Sequence, residues 1–426
     1  MARGTRRFAG IVLIVALSTV ASTAVSGAAR PRSVSRADVG VTANSINVDF
    51  VYGDTSSLQQ AGILAKIGDV GADFKVFADR AGTSAAGRKL VVTTQQYQVP
   101  STATAERPSC VAATEDDKAF IVVFLGGQTD ESLLCVAQEH QRVALAIDAT
   151  ARPSTYASAH GRLFSNSMSA GRLMKAWVQA VKKRGLLKGK TIGLVRPGDS
   201  AHVEVANFLK KALKSAGVKV AADVALPCTA VQSCQQSDIG AQKLQSSGVN
   251  TVFSLLPALP YPSFVQAAGA IGYHPQWLSS DYETQVYNTT AKLFGDAKTD
   301  YDGAIGISTT VLSTKADPAR TQCNKEYTQA TGTTYAPLSD AWNAVGTTCL
   351  MVDRIVKAAT AAQAAGGLTQ KSFLAQFAKL PVVEGNRKGA FGPNKFDAFN
   401  TYQLYKFGAG CTCWNALKGT IGVNKG

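Results

Sequence analysis

The sequence predicts an α/β fold of parallel sheets covered by helices on both faces, divided between two domains. Three observations carry this. From Ser45 onward, short β-branched runs alternate with longer stretches of helical apolar period, the pattern of repeated strand–helix–strand units. The chain has 426 residues, 46% of them hydrophobic, enough to bury more than one core. One unit is especially legible. Ile192-Gly193-Leu194-Val195 reads as a buried strand and Pro197-Gly198-Asp199-Ser200 as a turn. Val205, Phe208, Leu209 and Leu213 then form one face of a helix that stops at Ala216-Gly217.

In chain order, Arg3, Arg6 and Arg7 precede an apolar run over 8–21 and small residues ending at Gly27-Ala28-Ala29. This is the charged, apolar and small-residue layout of a secretory signal over 1–29. Arg6-Arg7 before Phe8 also has a twin-arginine character, without the usual spacer. The apolar stretch 8–25 is long enough to stay as a membrane anchor, so cleavage and retention both stand. No cysteine lies near the cleavage region, which removes lipid attachment there. Residues 30–44 are polar, contain Pro31 and read as a flexible lead-in. Strands rich in Val, Ile, Phe and Tyr are expected at 46–52, 90–97, 120–125, 143–147, 191–196, 218–226, 251–256 and 303–309. Helices are expected between and after them at 60–81, 107–115, 130–139, 170–184, 201–215, 239–245, 262–271, 341–365 and 370–379. No membrane-spanning stretch is expected after residue 30.

Eight cysteines, an even number, together with an export signal favour disulfides over metal sites. Chain order pairs Cys110 with Cys135, Cys228 with Cys234 and Cys323 with Cys349, leaving Cys411 and Cys413. That last pair closes a very small ring, which bond geometry strains; a structural bridge and a redox role are both open. The net charge of +15 raises the question of nucleic acid, but Lys and Arg are scattered rather than interleaved with aromatics. The densest basic group, Lys182-Lys183-Arg184 with Lys188 and Lys190, sits at a helix end, where cations offset the helix dipole. Attraction to an anionic cell envelope is the simpler reading, and no nucleic acid partner is expected.

Several stretches in order resemble the type I periplasmic binding proteins, in the branch of Leu/Ile/Val and amide receptors of ABC importers. They are Phe120-Ile121-Val122-Val123-Phe124-Leu125-Gly126-Gly127, Val143-Ala144-Leu145 through Asp148-Ala149-Thr150, and Leu163-Phe164-Ser165-Asn166-Ser167. The stretch 190–217, Trp277-Leu278-Ser279-Ser280-Asp281 and the stretch 389–397 complete the series. The resemblance spans about residues 46–407. It implies two Rossmann-like lobes joined by three crossings, near Asn166, Asp281 and Pro393, with a ligand cleft between them. Lobe 1 is then 45–166 plus 282–392, and lobe 2 is 167–281 plus 393–426. It also implies hinge closure on a small ligand, location in the periplasm or on the outer face of the cell envelope, and an ABC permease as membrane partner.

Physical reasoning places an anion corner at Gly126-Gly127-Gln128-Thr129-Asp130, where a helix opens after a buried strand and its free N–H groups face the cleft. Thr129 and Thr150 match the family's carboxylate-binding hydroxyls; Thr129 or Asp130 serving only as a helix cap is the competing reading. The candidate ligand set on the first lobe is Thr55, Ser56, Gln128, Thr129, Asp148, Ala149, Thr150 and Ser165. On the second it is His202, Tyr261 and Asp281, and Tyr282 opens the returning part of the first. Receptors for α-amino acids in the family carry an acid shortly after the strand at 251–256, where this chain has Pro257-Ala258-Leu259-Pro260-Tyr261. Nor does an aromatic stand at Ala201-His202. An unpaired ammonium in a closed cleft is costly, so an unmodified amino acid requires Asp281 or Asp54 to substitute. The ligand class is therefore an amino acid, an amide or another small carboxylate.

Enzyme chemistry finds little support. His140, His160, His202 and His274 lack metal-ligand spacing, and no nucleophile elbow, P-loop or dinucleotide fingerprint follows a strand. His202 near Asp199 and Ser200 can be drawn as a triad, which keeps an exported hydrolase as the remote alternative. No cofactor or metal is expected. A ligand sensor that signals through a partner uses the same architecture. Absence of a lipid-bearing cysteine weighs against a tethered importer component in a cell without an outer membrane, unless the N-terminal anchor is retained.

Overall fold

The computed structural model describes residues 38–426 except 61–63, 100, 230–232, 310–315, 385–386, 418–420 and 423–426. The expected signal over 1–29 lies outside them. The end of the expected lead-in is built into the protein: Val41 is buried in the core and bridges to Ile46, and Asp38 accepts a hydrogen bond from the Gln370 backbone N–H. Its apolar Val41 decides this, against the polar composition around it.

Five parallel strands form the first sheet: β1 Ser45–Asp54, β2 Lys89–Gln98, β3 Ile121–Leu125, β4 Val143–Ala146 and β5 Leu163–Ser165, in the order β2-β1-β3-β4-β5. The pleat divides their side chains between two cores. Ile121, Val123, Val143 and Leu145 face one way, against Phe74 and Phe77 of the helix Val70–Ala81 and against Val352, Ile355 and Phe373. Val122, Phe124, Ala144 and Ala146 face the other, against Cys110, Leu133 and Val136. Burial on both faces explains why β3 and β4 read as unbroken apolar runs.

The second sheet is built from β6 Ile192–Pro197 and β7 Val220–Leu226, and, after a small hairpin of β8 Cys228–Thr229 and β9 Ser233–Cys234, from β10 Thr251–Ser254, β11 Gln276–Ser280 and β12 Ile305–Ser308. A second hairpin, β13 Val382–Glu384 and β14 Arg387–Gly389, precedes the antiparallel strands β15 Thr401–Gly408, which pairs with β12, and β16 Cys413–Ala416, which stands at the edge. The order is β16-β15-β12-β11-β10-β6-β7. On one face Trp177 of the helix Ala170–Lys183 meets Phe253 edge-on at 4.8 Å between ring centroids, with Leu209 and Leu213 nearby. Burial of an apolar side chain of this size contributes about 1.5–3 kcal/mol. The other face is an aromatic cluster of Tyr261, Phe264, Trp277, Tyr301, Phe407 and Trp414.

The chain first passes between sheets after β5. Its return differs from expectation: a crossing near Asp281 puts all of 282–392 with the first lobe, but β12 pairs in parallel with β11, so the passage follows Ser308. The helices Pro318–Thr331, Asp340–Ala364 and Gln370–Phe377 then contribute to the core beside the first sheet. The third passage lies at 397–400, beyond Pro393, because it pairs with the first. Ser165 bridges Asp397 in parallel, Ala398 N–H donates to Ser165 O at 2.8 Å, and Phe399 N–H donates to Asn166 O at 3.0 Å. Asp397 is buried and accepts from Ser169 N–H at 2.7 Å and from Arg172 at 2.6 Å. It thereby caps the helix that opens the second lobe.

Disulfides join Cys110–Cys135, Cys228–Cys234, Cys323–Cys349 and Cys411–Cys413. The first and third each tie neighbouring helices, the second spans the β8–β9 hairpin, and the last sits in the turn between β15 and β16. Among the described residues, no helix is long and apolar enough to cross a membrane.

Candidate functional site

In parallel α/β sheets, ligands bind beyond the carboxyl ends of the strands, and here such loops from both sheets meet. The first sheet brings the loop after β3 to Asp130 and the loop after β4 to Arg152. The second brings Asp199 and His202 after β6, and Tyr282 and Glu283 after β11. Contacts cross from one lobe to the other. Ser154 Oγ donates to Glu204 at 2.7 Å, its N–H does so at 3.3 Å, and the Arg152 guanidinium lies 3.7 Å from the same carboxylate. Arg152 also pairs with Asp130 and, at 3.1 Å, with Glu131. Asp130 further accepts from the Arg152 backbone N–H at 3.1 Å and from Thr155 Oγ1 at 2.7 Å.

On the second lobe, Asp199 caps the helix Ser200–Ser215 by accepting the His202 N–H. His202 Nδ1 lies 2.7 Å from Asp199, Nε2 lies 3.3 Å from Glu283, and the ring meets Tyr282 edge-on at 5.9 Å. Burial opposes the imidazolium, but hydrogen bonds to Asp199 and Glu283 outweigh it and raise the His202 pKa from 6.5 to about 9. Burial likewise works against the Asp199 charge, and the bond to His202 overcomes it, lowering that pKa to about 2. Because Nε2 faces a carboxylate and not a hydroxyl, His202 is not placed to act as the base of a Ser triad. The ion pairs across and beside the cleft thus join five carboxylates, Asp130, Glu131, Asp199, Glu204 and Glu283, to two cations, Arg152 and His202.

The anticipated anion corner has a different occupant. Thr129 Oγ1 donates to Glu106 at 2.7 Å, its N–H donates to the same carboxylate at 3.0 Å, and its oxygen accepts from Ser132 N–H as the helix cap. Glu106 is fully buried, and burial raises its pKa despite these bonds. Gly126 N–H is shared by the two oxygens of Asp148 at 3.0 and 3.1 Å. Two of the corner's N–H groups thus already serve the protein's own acids. Thr150 and Ala149 are half-buried in the loop after β4, Gln128 is half-buried beside Tyr97, and Ser165 donates to Ala149 O at 2.6 Å. Thr55 accepts from Gln59 at 2.7 Å, while exposed Ser56 gives its N–H to Asp54 at 2.9 Å.

Two expected contacts are otherwise engaged. Tyr261 is 1% exposed and packs edge-on to Trp277, Phe294 and Tyr301, a position in the second core that its aromatic neighbours dictate. Asp281 is buried and accepts from Ser308, the Thr309 N–H and Thr309 Oγ1, so it organises the second passage between lobes. Sequence reasoning missed Arg152, Glu204 and Glu283. Each looks like an ordinary solvated charge until the lobes are folded against one another. The groups of metal-ligand spacing found among the described residues are the bonded pairs Cys110–Cys135 with His140 and Cys323–Cys349 with Asp353; their sulfurs are oxidised and are not thiolate ligands.

Two parallel-stranded lobes with a charged cleft between them define a two-lobed α/β binding fold. The family model described as periplasmic binding protein matches residues 72–404. The chain belongs to the periplasmic binding protein family. Comparison with curated protein sequences finds no match. Solved structures share the fold at low identity. A leucine binding protein from Thermotoga maritima is 13% identical with a TM-score of 0.64, covering 88% of this chain and 98% of that one. A branched-chain amino acid ABC transporter protein from Thermus thermophilus with bound valine is 12% identical, TM-score 0.65, covering 89% and 98%. A solute binding protein of an ABC transporter from Rhodopseudomonas palustris in complex with p-hydroxybenzoic acid is 14% identical, TM-score 0.65, covering 89% and 98%.

Proposed function

We propose that the chain captures a small polar solute outside the cytoplasm by closing its two lobes and delivers it to an ABC importer. The observation that carries this reading is the contact of Ser154 and Arg152 with Glu204, which joins the two sets of strand-end loops around one cleft. Ligand contacts to both lobes at once favour the closed form. The solute is an amino acid, an amide or another small carboxylate, in keeping with the leucine, valine and p-hydroxybenzoic acid named for the structural neighbours. The excess of carboxylates on the wall favours a solute that presents an ammonium or amide N–H, with Glu283 and Asp199 as its acceptors. The acid absent after β10 is thereby replaced from the loop after β11. We place the solute's carboxylate end toward Thr150, since Glu106 holds Thr129.

Thermal-shift screening against leucine, valine, glutamine, urea and p-hydroxybenzoate tests the reading. A true ligand at about 100 times its Kd adds about 2.7 kcal/mol of stability. Amino acids or amides are expected to stabilise the protein more than the aromatic acid, and Glu283→Gln is expected to weaken that response. If nothing in the panel stabilises it, or if Glu283→Gln responds like the parent, the ligand assignment fails.

A further inference from the structure

The turn between β15 and β16 carries Cys411-Thr412-Cys413, with one residue between two bonded sulfurs. Its surroundings differ from those of the helix-linking bridges. Cys110, Cys135, Cys323 and Cys349 are all buried, whereas Cys411 is exposed and Cys413 half-exposed. Thr412 has φ of +48°, a left-handed conformation that is unfavourable for a β-branched residue. Thr412 lies inside the small ring that the bridge closes, and its N–H donates to Ala409 O at 3.3 Å. The turn itself is firmly seated. Trp414 is buried against Tyr301 and Phe407, its indole N–H donates to Gln285 O at 3.2 Å, and its backbone N–H donates to Asn288 at 3.0 Å. Asn415 Nδ2 donates to Cys411 Sγ at 3.6 Å. Gly408 makes room for this approach: a Cβ there would stand 3.0 Å from that nitrogen and 3.5 Å from that sulfur.

We propose that Cys411–Cys413 is a thiol–disulfide exchange site, oxidising an external dithiol through attack on the exposed Cys411 sulfur. One thiolate of the dithiol bonds to Cys411 Sγ, the Cys411–Cys413 bond breaks, and Cys413 leaves as the thiolate. The second thiolate attacks the dithiol's own sulfur in the mixed disulfide and expels Cys411, whose thiolate receives the Asn415 N–H. The dithiol leaves as a disulfide, and two electrons rest on the Cys411–Cys413 pair. Exchange of this kind depends on access and on the stability of the leaving thiolate: Cys411 is exposed to attack in the first step, and the Asn415 N–H steadies it as the leaving thiolate in the second.

The probe is dithiothreitol applied to the intact, folded protein, followed by acid quench, alkylation and peptide mapping. Cys411 and Cys413 are expected to be half-reduced at a ratio of reduced to oxidised reagent at least about tenfold lower than Cys110–Cys135 or Cys323–Cys349. A monothiol probe such as glutathione, which has no second thiolate to complete the exchange, should leave its mixed disulfide on Cys411 at least about tenfold more often than on Cys413 of the intact bridge. Asn415→Ala should slow the second step and raise the pH at which Cys411 of the Cys413→Ala protein is alkylated. Reduction of all bridges at one ratio, or faster trapping on Cys413 than on Cys411, overturns the proposal.

Discussion

Raising the pH through the range in which His202 loses its proton should unlock the second wall of the cleft. In the folded protein the His202 pKa is about 9, against 6.5 for an ordinary histidine. A raised pKa means that the native state holds the proton more tightly than the unfolded chain. The stabilisation is therefore fully present below about 6.5 and disappears as pH rises through about 9. A difference of that size corresponds to about 3 kcal/mol, and the imidazole is well enforced, with 13% of its side chain exposed between Asp199 and Glu283. Urea unfolding of the parent and of His202→Gln at steps from pH 6 to 9.5 measures the term. The difference between the two proteins should shrink by about 3 kcal/mol over that range, while other titrating groups cancel. NMR titration gives an independent reading, since the chain has four histidines and one resonance should titrate near pH 9. Parallel stability curves for the two proteins, or four resonances that all titrate near the ordinary value, would refute the argument.

Asp397→Ala removes a buried carboxylate from Ser169 and Arg172 at the paired crossings and should cost about 3–5 kcal/mol by urea unfolding, with Asp397→Asn costing less. Burial raises the Asp49 pKa from 3.8 to about 8, with Asp117 adding to the effect. Native stability therefore falls as pH rises between those values, and Asp49→Asn should flatten that fall in thermal melts taken from pH 4 to 8. Replacing Cys323 and Cys349 together by Ser should cost about 3.5 kcal/mol, the scale for a bridge across a separation of 26 residues, read from the urea midpoint. Glu204→Ala frees Ser154 and Arg152 at the lobe junction, and solution scattering should show a larger radius of gyration than the parent has.

Much of the strand framework was legible because β3 and β4 are apolar runs of Ile, Val, Leu, Phe and Ala buried on both faces. The helix Pro318–Thr331 was not. Its sequence is mostly polar and it is held by Cys323, Tyr327 and the contacts of Arg320, although its Asp317 cap, its Pro318 start and its Gly332 stop are readable signals. β15 was missed because it enters antiparallel, between β12 and β16, in an otherwise parallel order. At the site, the loops were legible and the bonds within them were not. Nothing local to Thr129 announces Glu106, which comes from another helix 23 residues earlier. Likewise the charge of Glu204 acquires a partner only when Ser154 arrives from the other lobe.

The interleaving of the two lobes along the chain has a consequence for biosynthesis. The core of the first sheet awaits Val352, Ile355, Phe373 and Phe399, and the second sheet awaits Leu404 and Tyr405. A nascent chain that has extended only through β12 therefore leaves apolar surface of both lobes uncovered. Both cores are thus closed by residues that lie after β12, and neither lobe is a separable folding unit cut from the first part of the chain.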